Sequence, residues 1–573
     1  MKRLTVLAAV LAMTALACRN QQKQMNDTTD RKWWKEAVVY QIYPRSFKDE
    51  NGDGIGDLRG IISKLDYIKS LGVNVVWLNP IYSSPNDDNG YDVSDYRNIM
   101  KDFGTMADFD ELLKGMHQRG IKFVMDLVVN HSSDEHDWFK QSLSSRTSPY
   151  RDYYHWWNKE RGTPPPRYSL FDVNHDAWMY DEKTNAYYLH YFSRKQPDLN
   201  WENPKVRKEV YDIMKFWANK GVDGFRLDAF GFAAKDTTWP VYPKGYEQNF
   251  SKYYALQPHL HDYLKEMNRE VLSKYDVMSV AEGTGNTTRD AHDMVDADRN
   301  ELNMAYPFEG VDIAKPEGYS VLHFKQVFSK WDSVFAGKGW LAVFLANHDQ
   351  ARMVSRLGND SPHFREVSSK MLTTFIMTMR GTPYYYNGDE LGMTNARFTD
   401  IADYRDKATL NEYQHQKNIG ADMQAFMKQT EFSCRDNGRT PFQWNDSLNA
   451  GFTTGTPWIK VNPNYKTINE AAQDKDPNSN LNYFRKIVKL RHDNLVLVYG
   501  KYTLLDKDNS DTYAYSRELN GKKLLVMLNF RDHAAKANTG IDLSKAKVLI
   551  GNYNSSSTDG GLKPYEAVVF ELD

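Results

Sequence analysis

The chain has 573 residues, which is enough for roughly three or four domain equivalents. Its 73 Lys and Arg residues nearly balance its 75 Asp and Glu residues, and the formal net charge is −2. This balance predicts neither a basic surface for nucleic acid nor a polyanionic tail, so neither class of partner is expected.

The first 31 residues are predicted to serve export and attachment rather than the fold. Residues 1–17 begin with the basic Lys2 and Arg3, continue as an apolar run too short to span a bilayer, and end in small residues, as a cleaved signal peptide does. Cleavage would leave Cys18 first, which resembles a bacterial lipoprotein processing site, so residues 18–31 are predicted to be a polar, lipid-attached tether. We expect an exported, periplasmic lipoprotein that meets the membrane through its lipid anchor only, with plain secretion as the alternative.

A loop with the spacing of a calcium site follows the first predicted strand, residues 37–43. Oxygen-bearing side chains alternate along it, glycine allows a sharp turn, and a backbone carbonyl continues the series. The predicted ligands are Asp49, Asn51, Asp53, the carbonyl of Ile55, and Asp57. The twelfth position is glycine rather than glutamate, so the loop is not an EF-hand. The oxygen-only set favours a structural Ca²⁺, with Mg²⁺ as the alternative ion and a metal-free Asp/Gly turn as the simpler interpretation.

Helical and strand patterns alternate beyond this loop. Residues 62–71, 109–119 and 206–220 have helical periodicity, whereas residues 73–78 and 122–129 have the composition of buried strands. Helices between buried strands predict an α/β fold with a parallel sheet. Eight such units would close a TIM barrel, whose chemistry lies at the carboxyl ends of its strands.

Polar side chains occur where the predicted barrel strands end. In the stretch GFRLDAF, residues 224–230, strand alternation places Arg226 and Asp228 on one face. The arginine would keep the aspartate ionised, as a covalent nucleophile requires, although a salt bridge on a buried strand is the simpler interpretation of this stretch alone. Other strand ends carry similar residues: Asp126, Asn130 and His131 on the third, Glu282 on the fifth, and Asn347, His348 and Asp349 on the seventh. Their convergence predicts an active site at one rim of the barrel.

These stretches resemble the signature segments of the α-amylase family, glycoside hydrolase family thirteen. DLVVNH, GFRLDAF, SVAEG and ANHD occur in the family order, with QPDLN at residues 196–200. Three further stretches, QIYPRSF from Gln41, SPNDDNGYD from Ser84 and RDNGRTPFQW from Arg435, resemble the oligo-1,6-glucosidase and α-glucosidase subfamily. The resemblance extends from Trp33 to the C-terminus.

The resemblance implies a (β/α)8 TIM barrel with an inserted domain B after the third strand and a C-terminal antiparallel β-sandwich. The barrel, domain A, would comprise residues 32–131 and 201–495. Domain B would be residues 132–200, and domain C would be residues 496–573.

The resemblance also implies the roles of the residues at the rim. Retaining glycosidases use two carboxyl groups about 5 Å apart. Asp228 would be the nucleophile, and Glu282 would be the acid/base, with small apolar neighbours that could raise its pKa. Asp349 would grip sugar hydroxyls and help to distort the ring. The residues expected to bind the reacting glucose or to orient the nucleophile are Tyr91, His131, Arg226 and His348.

Two more residues are implied to close one end of the pocket. In close relatives an aspartate and an arginine pair behind the non-reducing glucose, and the matching residues are Asp88 and Arg439, with Arg435 as a weaker candidate. Such a pair would make the enzyme exo-acting on short α-glucan oligosaccharides. No organic cofactor is implied.

The residue after the nucleophile bears on which bond is cleaved. Isomaltose-cleaving relatives usually carry Val there, whereas relatives acting on α-1,4 bonds tend to carry Ala, Gly or Thr. Ala229 leaves more room for the leaving sugar, and one or two methyl groups discriminate by about 1–3 kcal/mol. We therefore expect a preference for α-1,4 bonds in maltose and malto-oligosaccharides. Oligo-1,6-glucosidase activity on isomaltose and panose is the alternative, and a non-catalytic glycan-binding lipoprotein is disfavoured because all three carboxylates are present.

Overall fold

Eight parallel strands form the centre of the structure and close into a barrel. The computed structural model describes residues 30–573. The strands are β1 (Val39–Ile42), β2 (Val75–Leu78), β3 (Lys122–Val128), β4 (Gly224–Asp228), β5 (Met278–Glu282), β6 (Met304–Tyr306), β7 (Ala342–Val343) and β8 (Thr382–Tyr386). Neighbours pair in the order β6-β5-β4-β3-β2-β1-β8-β7, and a parallel bridge between Ala305 and Leu341 joins the two edges. The predicted α/β class and TIM barrel are confirmed.

The barrel strands are buried on both faces, which explains their apolar composition. Every residue of β2, with the sequence VVWL, is buried between the barrel interior and the outer helices. The principal outer helices are Leu58–Ser63, Leu65–Ser70, Met106–Gln118, Pro204–Lys220, Leu260–Glu270, Thr288–Val295, Val321–Val334, Arg365–Thr378 and Asn480–Asp493. Local signals set their ends: Asn203 caps the helix that begins at Pro204, and Gly221, with a φ of 106°, ends it.

Two strands differ from the sequence pattern. The pattern does not reveal β6, because a three-residue strand carries too little periodicity to be recognised. The apolar stretch 341–346 predicts a longer β7, but only Ala342 and Val343 pair with β8. The following residues leave the sheet and run, still buried, toward Asn347.

An insert follows β3 and forms one wall of the barrel mouth. It contains the helix Asp137–Ser144 and an antiparallel sheet in which Ala186–Leu189 lies between Trp156–Asn158 and Trp178–Asp181. A bridge between His131 and Asp198 pairs the two ends of the insert at the rim. The insert thus leaves and rejoins the barrel at one place, next to the predicted site.

A helical hairpin between β8 and the last barrel helix forms the opposite wall. Its helices are Lys407–Asn418 and Met423–Ser433. The Asn411 amide donates to the carbonyl of Phe171 in the insert at 2.7 Å. Nδ1 of His415 lies 3.0 Å from the carbonyl of Val173. These contacts enclose the mouth between the insert and the hairpin.

The C-terminal part is an antiparallel sandwich on the side of the barrel. Its main sheet has the neighbour order Lys501–Leu505, Thr512–Leu519, Lys522–Asn529, Ala567–Leu572 and Lys547–Gly551, and a smaller sheet pairs Ala535–Lys536 with Gly561–Leu562. Side chains alternate between the two faces of the main sheet. Leu525 and Phe570 face the inner core of the sandwich, whereas Tyr513 and Tyr515 face the barrel helix Arg365–Thr378.

The predicted signal peptide and Cys18 lie outside the described residues. Within residues 30–573, no helix combines the length and the apolar character needed to cross a bilayer.

Candidate active site

The predicted catalytic residues lie together at the carboxyl ends of the barrel strands. Asp228 ends β4, Glu282 ends β5, and Asp349 follows β7. All three line a cavity of about 770 Å³ between the insert and the hairpin. Other predicted residues that line it are Asp88, Tyr91, His131 and Ala229. The remaining predicted residues are buried: Arg226, His348 and Arg439.

The Arg226 guanidinium holds three carboxyl groups at once. Its Nη1 lies 2.5 Å from Oδ1 of Asp228 and 2.9 Å from Oδ1 of Asp126. Its Nη2 lies 2.5 Å from Oε1 of Glu282, and its Nε donates to the Tyr306 hydroxyl at 2.8 Å. Because both predicted catalytic carboxyls contact one guanidinium, they stand close together, as a retaining pair must.

The charge balance of this cluster favours a shared proton. Burial raises the pKa of Asp228 and that of Glu282, and the charge of Glu282 raises the former further, while Arg226 opposes both shifts. Burial likewise raises the pKa of Asp126 to about 6, against the same arginine. Carboxyl groups this close titrate as a unit. A single proton between Asp228 and Glu282 would leave one carboxyl ionised and one protonated, and burial favours the protonated form more strongly at Asp228 than at Glu282.

The turn after β4 links the two carboxyls through the backbone. Ala229 has a φ of 43°, in the left-handed region. In this conformation its N–H donates to Oε2 of Glu282 at 2.8 Å. The residue that follows the predicted nucleophile therefore orients the predicted acid.

The rings of Tyr91 and His348 lie side by side next to the cluster. Their ring centroids are 5.2 Å apart with nearly parallel planes, and the Tyr91 hydroxyl lies 2.6 Å from Nε2 of His348. The Gln41 side-chain amide lies 2.9 Å from Nδ1 of His348 and donates a hydrogen bond to it. Because Nδ1 accepts, the proton of the neutral ring is on Nε2. Burial lowers the pKa of His348 well below its ordinary value, so this ring is neutral at neutral pH. The Tyr91 hydroxyl donates in turn to Asp126 at 3.0 Å.

Asp349 is held by positive groups. Its Oδ1 accepts from Nη1 of Arg435 at 2.8 Å and from Nη2 of Arg439 at 3.0 Å, and its Oδ2 lies 3.1 Å from His348. Burial pushes the pKa of Asp349 upward, but His348 and the two arginines outweigh burial and hold that pKa below the ordinary value. The two arginines supply permanent positive charge beside this carboxylate.

The predicted pairing of Asp88 with Arg439 differs from the structure. Asp88 lies 3.6 Å from Nη2 of Arg435, the weaker candidate. Arg439 is buried and turns away, because its Nε donates to the His348 carbonyl and its Nη1 to the buried Asp406. The ion pair of Asp88 is therefore with Arg435, and Arg439 supports Asp349 from behind.

His131 contributes a neutral ring to the cavity wall. Its Nε2 lies 3.1 Å from the Tyr91 carbonyl and 3.2 Å from the Gln196 amide. Burial lowers the pKa of His131 to about 3. The ring can therefore hydrogen-bond a ligand but does not carry charge at neutral pH.

Three residues of the site were not assigned a role by sequence reasoning. Asp126 appears in the segment DLVVNH, but nothing in the sequence shows that it shares Arg226 with Asp228. Tyr306 belongs to β6, the strand that the pattern does not reveal. Asp406 lies in a stretch without a recognised motif, and its position between Arg435 and Arg439 follows from tertiary packing.

The predicted metal loop lies after β1 and does not line the cavity. Asp49 accepts from the N–H groups of Gly52 and Gly54 at 2.7 and 2.8 Å, and Asp57 caps the helix Leu58–Ser63. Burial raises the pKa of Asp57, and the charge of Asp49 acts in the same direction. The oxygen-only donor set suits a hard cation. Among residues 30–573, however, no three His, Cys, Asp or Glu side chains stand in a metal-holding arrangement, so the ion stays a prediction.

Comparison with known proteins gives a consistent set of relatives. The family model described as alpha amylase, catalytic domain, matches residues 41–500. An oligo-1,6-glucosidase of Parageobacillus thermoglucosidasius is 51% identical over 564 residues, covering 95% of this chain and 99% of the relative. An α-glucosidase of Pediococcus pentosaceus is 46% identical over 557 residues, covering 94% and 99%. The crystal structure of an isomaltulose synthase from Protaminobacter rubrum has a TM-score of 0.92 at 44% identity, covering 95% and 100%.

The buried histidines predict a loss of stability in mild acid. Burial lowers the pKa to about 3 for His131 and His155 and to about 4 for His136 and His190. Below about pH 6.5 these histidines become protonated in the unfolded chain but stay neutral in the folded chain. The free energy of unfolding should therefore fall as the pH drops from 6.5 toward 4, by up to about 1.4 kcal/mol per pH unit for each such histidine.

Urea unfolding at several pH values measures this slope. In His131→Gln the slope should be smaller by up to about 1.4 kcal/mol per pH unit, whatever the change in stability at pH 7. An unchanged slope in this variant would show that the His131 ring is already protonated in the folded protein.

Proposed function

The chain belongs to the α-amylase family of glycoside hydrolases, and from this membership we propose that it is a retaining, exo-acting α-glucosidase of short α-glucans. The observation that carries the proposal is the Arg226 guanidinium, which contacts both Asp228 and Glu282. This contact supports a close carboxyl pair that shares one proton, as double displacement requires. The exo-acting part of the proposal is supported by the charged cluster around Asp88 and Arg435.

The proposed reaction has two displacements at one carbon. Ionised Asp228 attacks the anomeric carbon of the non-reducing glucose while Glu282 gives its proton to the leaving oxygen, which releases the shortened sugar. A water molecule then gives a proton to Glu282 and attacks the glycosyl–Asp228 ester, which releases glucose and restores both carboxyl groups. The Ala229 N–H bond to Glu282 helps to aim the acid in both steps.

Binding of the reacting glucose is assigned to the groups around this pair. Asp349, held ionised by Arg435 and Arg439, is suited to accept hydrogen bonds from two sugar hydroxyls. The neutral rings of His131 and His348 can donate or accept without adding charge. Tyr91 lines the cavity, so its ring is placed to contact the sugar.

The exo-acting mode rests on a charged end wall. Asp88, Arg435, Asp349 and Asp406 form a connected ion cluster, and the Arg435 guanidinium lies 5.2 Å from the ring centre of Phe171. This wall would stop a glucan chain after one glucose on the non-reducing side. Carboxylate and guanidinium groups there can bind the terminal hydroxyls of that glucose.

We propose that the enzyme prefers α-1,4 bonds, and the side chain of Ala229 is the basis for this preference. This residue lines the cavity beside Asp228, and its single methyl group leaves room for the leaving sugar. The second candidate is an oligo-1,6-glucosidase, which is favoured by the names of several relatives at 46–51% identity.

We also propose a structural Ca²⁺, with Mg²⁺ as the alternative, in the loop after β1. The donors would be Asp49, Asn51, Asp53, the Ile55 carbonyl and Asp57. Such an ion would offset the repulsion between the acidic side chains and fix the loop. It would take no part in the displacements, because this loop does not line the cavity.

Attachment to a membrane through Cys18 is proposed for the same protein. The basis is the sequence of residues 1–31, with its basic start, apolar run and cysteine after small residues. The protein would then be an exported, periplasmic lipoprotein that acts on glucans at a membrane surface.

Substitutions at the carboxyl pair should separate the two roles. Glu282→Gln should lower kcat/KM on maltose by about 10²–10⁴, because the leaving oxygen loses its proton donor. The leaving group of 4-nitrophenyl α-glucoside departs without protonation, so on this substrate the same variant should retain most of the rate of the first displacement. Asp228→Asn should be inactive on both substrates. Initial-rate kinetics with both substrates measures this split.

Glu412→Gln is the matched control, because Glu412 lines the same cavity away from the pair. Its kcat/KM should stay within a few-fold of the parent value. Equal losses on the two substrates in Glu282→Gln would contradict the role of Glu282 as the acid.

The linkage preference is tested by glucose release from maltose and isomaltose side by side. The parent should favour maltose. Ala229→Val should shift the ratio of the two kcat/KM values toward isomaltose by about 10- to 100-fold, since the added methyl groups narrow the space beside the nucleophile. Ala408→Val, which adds the same groups elsewhere on the cavity wall, should leave the ratio unchanged. If the parent favours isomaltose, the oligo-1,6-glucosidase assignment replaces this one while the catalytic residues stand.

The metal proposal is tested by thermal unfolding with millimolar Ca²⁺ and with a chelator. An ion at 100 times its dissociation constant stabilises the folded state by about 2.7 kcal/mol, so the melting temperature should rise by a few degrees. Asp53→Ala should abolish the rise, and because Asp53 is exposed it should change the chelated protein little. Equal melting temperatures in both buffers would remove the ion from the proposal.

A further inference from the structure

The described chain begins against the barrel face that is opposite the cavity. We call the face with the amino ends of the eight strands the floor, and the face with their carboxyl ends the mouth. The Trp33 indole donates to Asp276, just before β5, at 2.9 Å. Nζ of Lys122, the first residue of β3, lies 4.6 Å from the ring centre of Trp33. The segment around Trp33 is thus held under the strands.

Further contacts secure the same segment. The Trp34 carbonyl accepts from Oγ1 of Thr382, the first residue of β8, at 2.8 Å. Its ring makes an edge contact with Trp340, which precedes β7, and the Lys32 N–H donates to the Tyr499 hydroxyl at 3.2 Å. Because these contacts reach the amino ends of several strands, the chain enters the folded body at the floor rather than at its side.

The chain between this entry point and the predicted lipid site is short. Residues 19–30 follow Cys18, and twelve residues cannot span more than about 43 Å even when fully extended. A compact body of the described length is about 60 Å across, from the scaling of radius of gyration with chain length. For the mouth to touch the membrane, residue 30 would have to stand about one body diameter away, which exceeds this reach.

We propose that the anchored protein presents its floor to the lipid bilayer and its mouth to the surrounding solution. The proposal rests on the lipid attachment at Cys18 proposed above, and it adds an orientation to that attachment. Trp33 and Trp34 remain partly exposed at the floor, and indole side chains are favoured at the level of lipid headgroups. The cavity then opens away from the membrane, where soluble glucans can reach it.

Energy transfer from single labels to the membrane measures the orientation. The full-length, acylated protein is reconstituted into vesicles of phosphatidylethanolamine and phosphatidylglycerol that contain an acceptor dye on the headgroup. One donor is attached at Lys338→Cys, in the floor loop before β7, and another at Ile419→Cys, exposed at the end of the hairpin helix. Cys434 is buried, so the chain without either substitution gives the labelling background.

The floor label should transfer energy several-fold more efficiently than the hairpin label. An equal or greater transfer from Ile419→Cys would overturn the proposal. A second variant, with twenty Gly and Ser residues inserted between Asp27 and Thr28, lengthens the tether beyond the body diameter and should reduce the contrast. An unchanged contrast in that variant would show that tether reach does not set the orientation, which also overturns it.

Failure of the anchor is distinguishable from failure of the enzyme. If the protein does not sediment with vesicles, or lacks the mass of an acyl group at Cys18, the orientation is wrong because its premise is wrong. Glucose release from maltose by the same sample tests the α-glucosidase proposal separately.

Discussion

The site depends on one buried guanidinium. Arg226 is fully buried and touches Asp126, Asp228 and Glu282, and transferring such ions out of water costs several kcal/mol for each ion. The cost is offset only where every remaining polar group finds a partner. Tyr306 accepts from the third nitrogen of the guanidinium, and the indole of Trp77 donates to Asp126. These two partners stand on β6 and β2, so the chemistry depends on strands that a closed barrel brings around Arg226.

The cluster continues outward as a single chain of polar contacts. It runs from Asp126 through Tyr91 and His348 to Asp349, and then through Arg435 to the hairpin. Each member restricts the orientation of the next, and Arg435 also contacts Asp406 at the start of the hairpin, so the hairpin wall is coupled to the centre of the barrel. Substitutions along such a path are not expected to have additive effects, because neighbours share partners.

The barrel and the catalytic pair can be predicted from the sequence, but the whole site cannot. Strand alternation alone aligns Arg226 with Asp228, and the family segments add Glu282 and Asp349, because these features are local. The partner of Asp88 is not a local feature. Arg435 and Arg439 stand four residues apart in the same motif, and the choice between them depends on Asp406 and on the His348 carbonyl, which only the folded chain brings together. Similarly, β6 is too short to show a period, so the hydroxyl that it contributes at Tyr306 stays hidden in the sequence.

The left-handed turn at Ala229 has a consequence for how this enzyme can diversify. The side chain at this position lies beside the leaving sugar, while its backbone N–H bonds the acid Glu282. A larger or β-branched residue would therefore do more than narrow the pocket: it would also strain a backbone with positive φ and disturb the hydrogen bond that tunes the acid. Bond selectivity and the pH at which the enzyme works best are thus linked through one residue. Descendants that change their substrate at this position would be expected to drift in pH optimum as well.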